Sequence, residues 1–160
     1  MPRPAASGRS RIFSDSSNRR RVSRIFSIPI RVYYEDTDAG AVVYYANYLK
    51  FMERARTEWL RQMGFEQDEL SRSEGILFAV RSAHLEFLKP ARFNDLLEAT
   101  VQVIRRGKAS ITFGQEIRRE EITLCEGEVK VACLDAGTFA PRPIPEILGS
   151  KIDTGIATWT

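Results

Sequence analysis

Between Tyr48 and Met63, apolar residues return at spacings of three and four: Tyr48, Phe51, Met52, Ala55, Trp59, Leu60 and Met63. At 3.6 residues per turn these side chains share one face of a helix. Gly64 follows as a natural stop, because it accepts the left-handed backbone that ends many helices. A helix with a single apolar stripe has to bury it against another layer, and the rest of the chain supplies one. "ILFAVRSAHLEFL" (76–88), "LLEATVQVI" (96–104), "ASITFGQEI" (109–117) and "GEVKVACLD" (127–135) read as strands. Upstream, "SIPIRVYYE" (27–35) alternates after Pro29 and predicts a first strand ending at Glu35. One long helix after a first strand, then four antiparallel strands, predicts an α+β fold in which a single sheet wraps a central helix.

The connections carry their own signals. "RRGK" (105–108) predicts a hairpin turn with Gly107 free to take positive φ. "PRPIPEILGSKI" holds too many prolines for a strand and predicts a short closing helix from Pro145.

The 160 residues suit one domain, and no apolar run approaches the roughly 18 residues of a membrane span. Charge is unevenly spread. Residues 1–27 hold seven arginines against one acid, Asp15, a net +6, whereas the whole chain carries +3, so residues 28–160 stand at −3. That balance argues against nucleic acid as a partner of the domain. Residues 1–27, rich in Arg and Ser with "RIFS" at 11–14 and again at 24–27, read as a disordered tail preceding a domain at 28–160. Their composition also fits an organellar transit peptide, but not a secretory signal, for want of an apolar core. Cys125 and Cys133 lie eight positions apart with a single histidine in the chain, which predicts buried free thiols in a reducing, cytoplasmic setting and no zinc site.

Several chemistries fail on residues they require. A Ser-His-Asp or Cys-His site has only His84 to draw on, inside a predicted strand, and no GxSxG elbow exists. "DTDAG" (36–40) is not an EF-hand loop, since Ala41 and Asn47 stand where Gly and a bidentate Glu belong. It is not the DxDx[TV] pattern of haloacid-dehalogenase phosphatases either, because Gly40 replaces the Thr or Val. What remains is a carboxylate at the mouth of a helix. Unpaired N–H groups of a first helical turn can hold a carbonyl oxygen as it gains charge, and a nearby carboxylate can attack that carbonyl or activate water against it. A thioester suits such minimal machinery, because its thiolate leaves readily. Asp36 and Asp38 also suit simple turn formation.

"YYEDTDAGAVVYYANYLKFMERARTEWLR" (33–61), with "FLKPARFNDLLEATV" (87–101) and "CLDAGTFAPRPIP" (133–145), resembles hotdog-fold acyl-CoA thioesterases of the 4-hydroxybenzoyl-CoA type, particularly the branch associated with the Tol-Pal system. The resemblance implies a five-stranded antiparallel sheet curled around a helix that starts near Tyr45. It also implies a homo-oligomer, dimer or tetramer, with active sites at protomer interfaces. The implied substrate is an acyl-CoA or an acyl carrier protein thioester, and no cofactor is needed, coenzyme A being part of the substrate. Residue by residue, Asp38 takes the place of the catalytic carboxylate, as nucleophile or general base. Tyr45 takes the position whose backbone N–H polarises the thioester carbonyl.

Two positions depart from that branch. It usually carries His where this chain has Tyr45, while the 4-hydroxybenzoyl type carries Tyr. Its second glycine after the Asp is Ala41 here, so positive φ at that position would be strained. Glu53 is a candidate for orienting water or, beside Arg54 and Arg56, part of a salt-bridged face. Arg105, Arg106 and Lys108 form a basic turn suited to the phosphates of coenzyme A or simply to solvent, and Arg142 is a further candidate. The alternatives to hydrolysis are a non-catalytic acyl or acyl-carrier scaffold and an enoyl-CoA hydratase, the latter requiring an Asp-His pair for which only His84 is available.

Overall fold

A computed structural model describes residues 25–159, with side chains described through Gly155. The tail expected at residues 1–27 therefore lies outside the described residues except for Ile25, Phe26 and Ser27, and the last two already belong to the first strand.

Five strands form one antiparallel sheet: β1 (Phe26–Arg31), β2 (Ile76–Phe87), β3 (Leu96–Arg106), β4 (Ser110–Arg119) and β5 (Ile122–Asp135). Their order across the sheet is β1-β3-β4-β5-β2. The edges are thus a six-residue strand interrupted by Pro29 and a twelve-residue strand, β2. Helix α1 (Asn47–Gln62) lies against one face, where Phe51, Met52 and Ala55 are fully enclosed. From the sheet, Leu97, Ala99 and Val101 of β3, Phe113 and Ile117 of β4, and Val129 of β5 face them. Tyr48 and Leu60 are buried and Trp59 and Met63 pack at the margin, so all seven residues of the predicted stripe face the sheet.

The helix ends as its glycine predicts. Gly64 takes φ +93°, its N–H donates to the Arg61 carbonyl at 2.9 Å, and the Phe65 N–H donates to the Leu60 carbonyl at 3.1 Å. That pair of bonds is a Schellman cap, with Phe65 packed against the core.

Elsewhere the expectations need correction. β1 stops at Arg31, four residues before Glu35, because the chain tightens into a 3-10 turn at Tyr34–Asp36. Gly107 closes the β3–β4 hairpin without positive φ, its N–H donating to the Ser110 carbonyl at 2.8 Å. A short helix, α2 (Gln67–Ser73), went unpredicted: among its seven residues only Leu70 is apolar and buried, too little to set a period. The closing helix, α3 (Glu146–Trp159), is fourteen residues rather than short, and Leu148 and Ile152 anchor it to the core.

A polar side chain ties helix to sheet across the core. Gln115 of β4 is buried beneath α1, and its Nε2 donates to the Met52 and Thr100 carbonyls at 3.1 Å each. Its Oε1 accepts from Arg56 at 2.8 Å, which ties helix to sheet at a fixed register.

Candidate active site

The segment between β1 and α1 folds back on itself. Thr37 bridges Val43 in antiparallel fashion, the Asp38 N–H donates to the Val42 carbonyl at 3.0 Å, and the Ala41 N–H donates to the Asp38 carbonyl at 2.9 Å. Three residues, Ala39, Gly40 and Ala41, make the tip of this small hairpin, and the last is left-handed. In such loops that place usually holds glycine. Ala41 holds it with φ +62°, so the departure from the glycine pattern leaves the turn in place and strains an alanine.

The two aspartates stand in different surroundings. Asp36 is buried, and its Oδ2 accepts the Tyr33 N–H at 2.8 Å. Its carbonyl accepts both the Tyr44 N–H at 2.9 Å and Asn47 Nδ2 at 2.8 Å. Asp36 thus joins the turn, the returning strand and the start of α1. Asp38 is exposed at the base of the hairpin. Its Oδ1 accepts the Gly40 N–H at 2.8 Å, which fixes the carboxylate's direction and leaves Oδ2 without a protein donor among the described residues.

Helix α1 begins at Asn47, two residues after Tyr45, with Ala46 as a cap already in helical conformation. Tyr45 lies in the turn that leads into it. The first turn contains no acid and has no side-chain cap, and the N–H groups of Tyr45 and Ala46 donate to no other backbone group among the described residues. An uncapped helix start with open N–H groups is a ready acceptor of negative charge.

Aromatic rings surround this point. The Tyr44 and Tyr45 rings lie 4.7 Å apart, Tyr45 meets Phe87 edge-on at 6.2 Å, and Phe87 touches Tyr48 at 5.6 Å. Contact with the Tyr45 phenol, and more weakly the charge of Asp38, hold the Tyr44 phenol above its ordinary value. Tyr48 is anchored by the Ala91 N–H, which donates to its hydroxyl at 3.1 Å, and burial raises that phenol too. Tyr44, Tyr45, Phe87 and Leu88 all remain substantially exposed, at the end of edge strand β2. Sequence reasoning passed over Phe87 and Leu88; the apolar pair "FL" ending a strand was the available signal.

The other candidates lie elsewhere. Glu53 accepts the Thr57 hydroxyl at 2.8 Å on the exposed side of α1. The hairpin carrying Asp38 packs by the 91–95 loop, where Val43 N–H meets the Ala91 carbonyl and Val32 N–H the Asp95 carbonyl, at the start of β3. Arg105, Arg106 and Lys108 sit at the far end of that strand, some ten residues and roughly 30 Å away. Arg106 is engaged there by Asp153 of α3 through two bonds of 2.6 and 2.5 Å. Arg142, at the same far end, donates to the Gly75 carbonyl at 2.9 Å and approaches Asp135. Within one chain, these four cations and Asp38 are not brought together. Burial and the neighbouring Glu126 push the Cys125 thiol up to about 12, and burial raises Cys133 as well, so neither is a nucleophile at neutral pH.

A sheet of this order curled over one long helix, with the carboxylate hairpin leading into that helix, is the hotdog class. Residues 40–126 match the family model described as Thioesterase superfamily, and the chain belongs to that family. It is 44% identical to the acyl-CoA thioesterase YbgC of Haemophilus influenzae, over 76% of this chain and 89% of the relative. Against the acyl-CoA thioesterase YbgC of Helicobacter pylori it is 35% identical, over 73% of this chain and 92% of that one. Among solved structures, a probable thioesterase from Bartonella henselae superposes with TM-score 0.73 at 35% identity, covering 76% of this chain and 99% of that one. A DHNA-CoA thioesterase from Staphylococcus aureus superposes with TM-score 0.77 at 20% identity, covering 85% and 95%, a likeness of fold.

Proposed function

We propose that this protein hydrolyses an acyl-CoA thioester to the free acid and coenzyme A, with Asp38 as the reacting carboxylate. The observation that carries the reading is an exposed carboxylate, oriented by the Gly40 N–H, on the hairpin that runs directly into the uncapped start of α1. Membership of the Thioesterase superfamily and the similarity to the YbgC enzymes support it.

In this reading the thioester carbonyl oxygen rests against the N–H of Tyr45, with that of Ala46 beside it. Both donors act more strongly as the oxygen gains negative charge. The Asp38 carboxylate either attacks the carbonyl carbon, forming an anhydride that water then opens, or removes a proton from the attacking water. In both routes the C–S bond breaks, the thiolate leaves and is protonated, and no cofactor is required. A backbone donor at position 45 does not depend on the side chain, so Tyr there serves as His would.

The site also calls for a second copy. Asp38 and Tyr45 are surface residues of one chain, beside the end of β2. β2 offers twelve residues of unpaired edge, with Val80, Phe87 and Leu88 exposed near or along it, whereas the opposite edge is short and blunted by Pro29. Pairing of two chains along β2 would wall the site, and residues of a neighbouring copy, Arg105 and Lys108 having no ion-pair partner among the described residues, would then be available to coenzyme A phosphates.

The test is Asp38→Asn in the full chain, assayed on short-chain, long-chain and aroyl-CoA esters. Loss of about 100-fold or more in kcat is expected on the preferred ester, with acyl-CoA binding and melting temperature retained. Turnover at the wild-type rate would remove Asp38 from the mechanism. Tight binding with no turnover by the wild type on every ester would favour the acyl-binding scaffold instead. Single turnover in oxygen-18 water distinguishes nucleophile from base by label appearing in the Asp38 carboxylate.

A further inference from the structure

The face of the sheet turned away from α1 carries charge that the thioesterase reading does not use. The strand register sets Glu116 of β4 opposite Glu126 of β5, and Glu126 opposite Glu86 of β2, with Glu128 in the adjoining row. Like charges directly opposite one another weaken a sheet. Arg118 pairs with Glu116, and His84 Nε2 lies 3.2 Å from Glu86 Oε1, while Glu126 and Glu128 have no ion-pair partner among the described residues. The same face is hollowed into a groove of about 430 Å³. Gly114, in the middle of the central strand, contributes no side chain to its floor.

The groove's far wall is formed by Ile25. Phe26 pairs with Val101 and faces the core, so by strand alternation Ile25 faces outward beside Gln102. The chain therefore enters the fold at the rim of an acidic groove, and residues 1–24, which precede it, hold seven arginines, Asp15 as their one acid, and no lysine. Arg24, Arg21, Arg20 and Arg19 fall within six residues of that rim. From β1 to β2 the face spans four strand spacings, about 19 Å, and six extended residues reach about 20 Å. Reach and charge both fit. A second copy presenting the same face would bring one glutamate row against another.

We propose that this groove is the docking site of the chain's own arginine-rich segment, residues 1–24, with Arg19, Arg20, Arg21 and Arg24 opposite Glu86, Glu126 and Glu128. Guanidinium and carboxylate meet there in charge-assisted hydrogen bonds, and the strap spans from β1 to β2 across every strand of the sheet. The inference is independent of the catalytic reading, since it uses the opposite face.

Two reciprocal measurements on the full chain test it. In the first, the variant Arg19→Gln, Arg20→Gln, Arg21→Gln leaves the folded domain untouched, and carboxylates are footprinted with a carbodiimide and glycine ethyl ester. Labelling of Glu126 and Glu128 should rise about fivefold while that of Glu74, off the groove, stays constant. In the second, Glu86→Gln, Glu126→Gln, Glu128→Gln should speed tryptic cleavage after Arg19 to Arg24 by a similar factor at low salt. The control Glu74→Gln, Glu121→Gln, Glu146→Gln should not, and salt near about 0.5 M should abolish the difference. Unchanged labelling in the arginine variant overturns the proposal. So does a fall in oligomeric state on the glutamate substitutions with cleavage rates unchanged, which would identify a second copy as the occupant.

Discussion

Asp36 and Asp38 are two residues apart and subject to opposite demands. Asp36 is buried and its Oδ2 accepts the Tyr33 N–H, so Asp36→Ala, which strips that donor of its partner, should destabilise the fold by about 1–2 kcal/mol, read as a shift of the urea midpoint. Asp38→Asn should leave the unfolding free energy within about 0.5 kcal/mol, because its carboxylate is exposed and holds one local bond. Ala41 shows what the local pattern enforces: it takes φ +62° although alanine pays for that conformation. Ala41→Gly should therefore stabilise the protein by about 0.5–1 kcal/mol, relief of left-handed strain exceeding the added freedom of the unfolded chain. Gly40 is tighter still, since a Cβ there would stand 3.1 Å from Asp38 Oδ1. The alternation of Asp, Gly and Ala made the turn legible; the inequality of the two residues was not, because the burial of Asp36 and the bonds its carbonyl accepts from Tyr44 and Asn47 come from the other side of the hairpin.

At the scale of elements, α1 was readable because its apolar stripe repeats with the helix period, and Gly64 ended it for a conformational reason. The lock between α1 and β4 was not readable. Gln115 lies among apolar strand residues and finds its partners, Met52 and Thr100, through the fold alone. Gln115→Leu should cost about 1–3 kcal/mol, since it removes the acceptor from the part-buried Arg56 guanidinium, whose pKa burial already lowers. Equilibrium unfolding of that variant beside Arg56→Leu and the double variant would measure the coupling. The cysteine pair behaves as its sequence context predicts, free and enclosed. Neither thiol should react with a disulfide reagent at pH 7 until denaturant opens the core, giving two equivalents on unfolding.

At the scale of the whole molecule, two carboxylates, Asp95 and Asp153, bind distant segments together, and Asp135 fixes the turn that follows β5. Asp95, against the cost of its own burial, is held below the usual range by the Arg92 N–H and Arg119. Asp135 is held low by the Thr138 and Gly137 N–H groups, and Asp153 by Arg106. In the unfolded chain these groups titrate near 3.8. Below that pH the unfolded state binds more protons, so their contribution is complete above it and is lost as pH falls through the lower folded values. The urea midpoint should hold steady down to about pH 5 and fall below about pH 4, with Asp95→Asn flattening the decline. Assembly belongs to this scale as well. If two copies pair along the open edge of β2 as proposed, Val80→Lys there should shift sedimentation toward the monomer and lower kcat/KM together.

What the sequence determined by itself was local and periodic: one helical stripe, the alternating strands, a glycine stop, and a turn with a carboxylate before a helix. Each follows from bonds and side-chain directions within a few residues, so order along the chain suffices to read it. Only the tertiary structure decided that Arg105, Arg106, Lys108 and Arg142 stand at the opposite end of the sheet from Asp38, that Arg106 is engaged by Asp153, and that four glutamates share the outer face at which Ile25 enters. Those relations join residues far apart in sequence, and strand order and register, not spacing along the chain, set which charges meet.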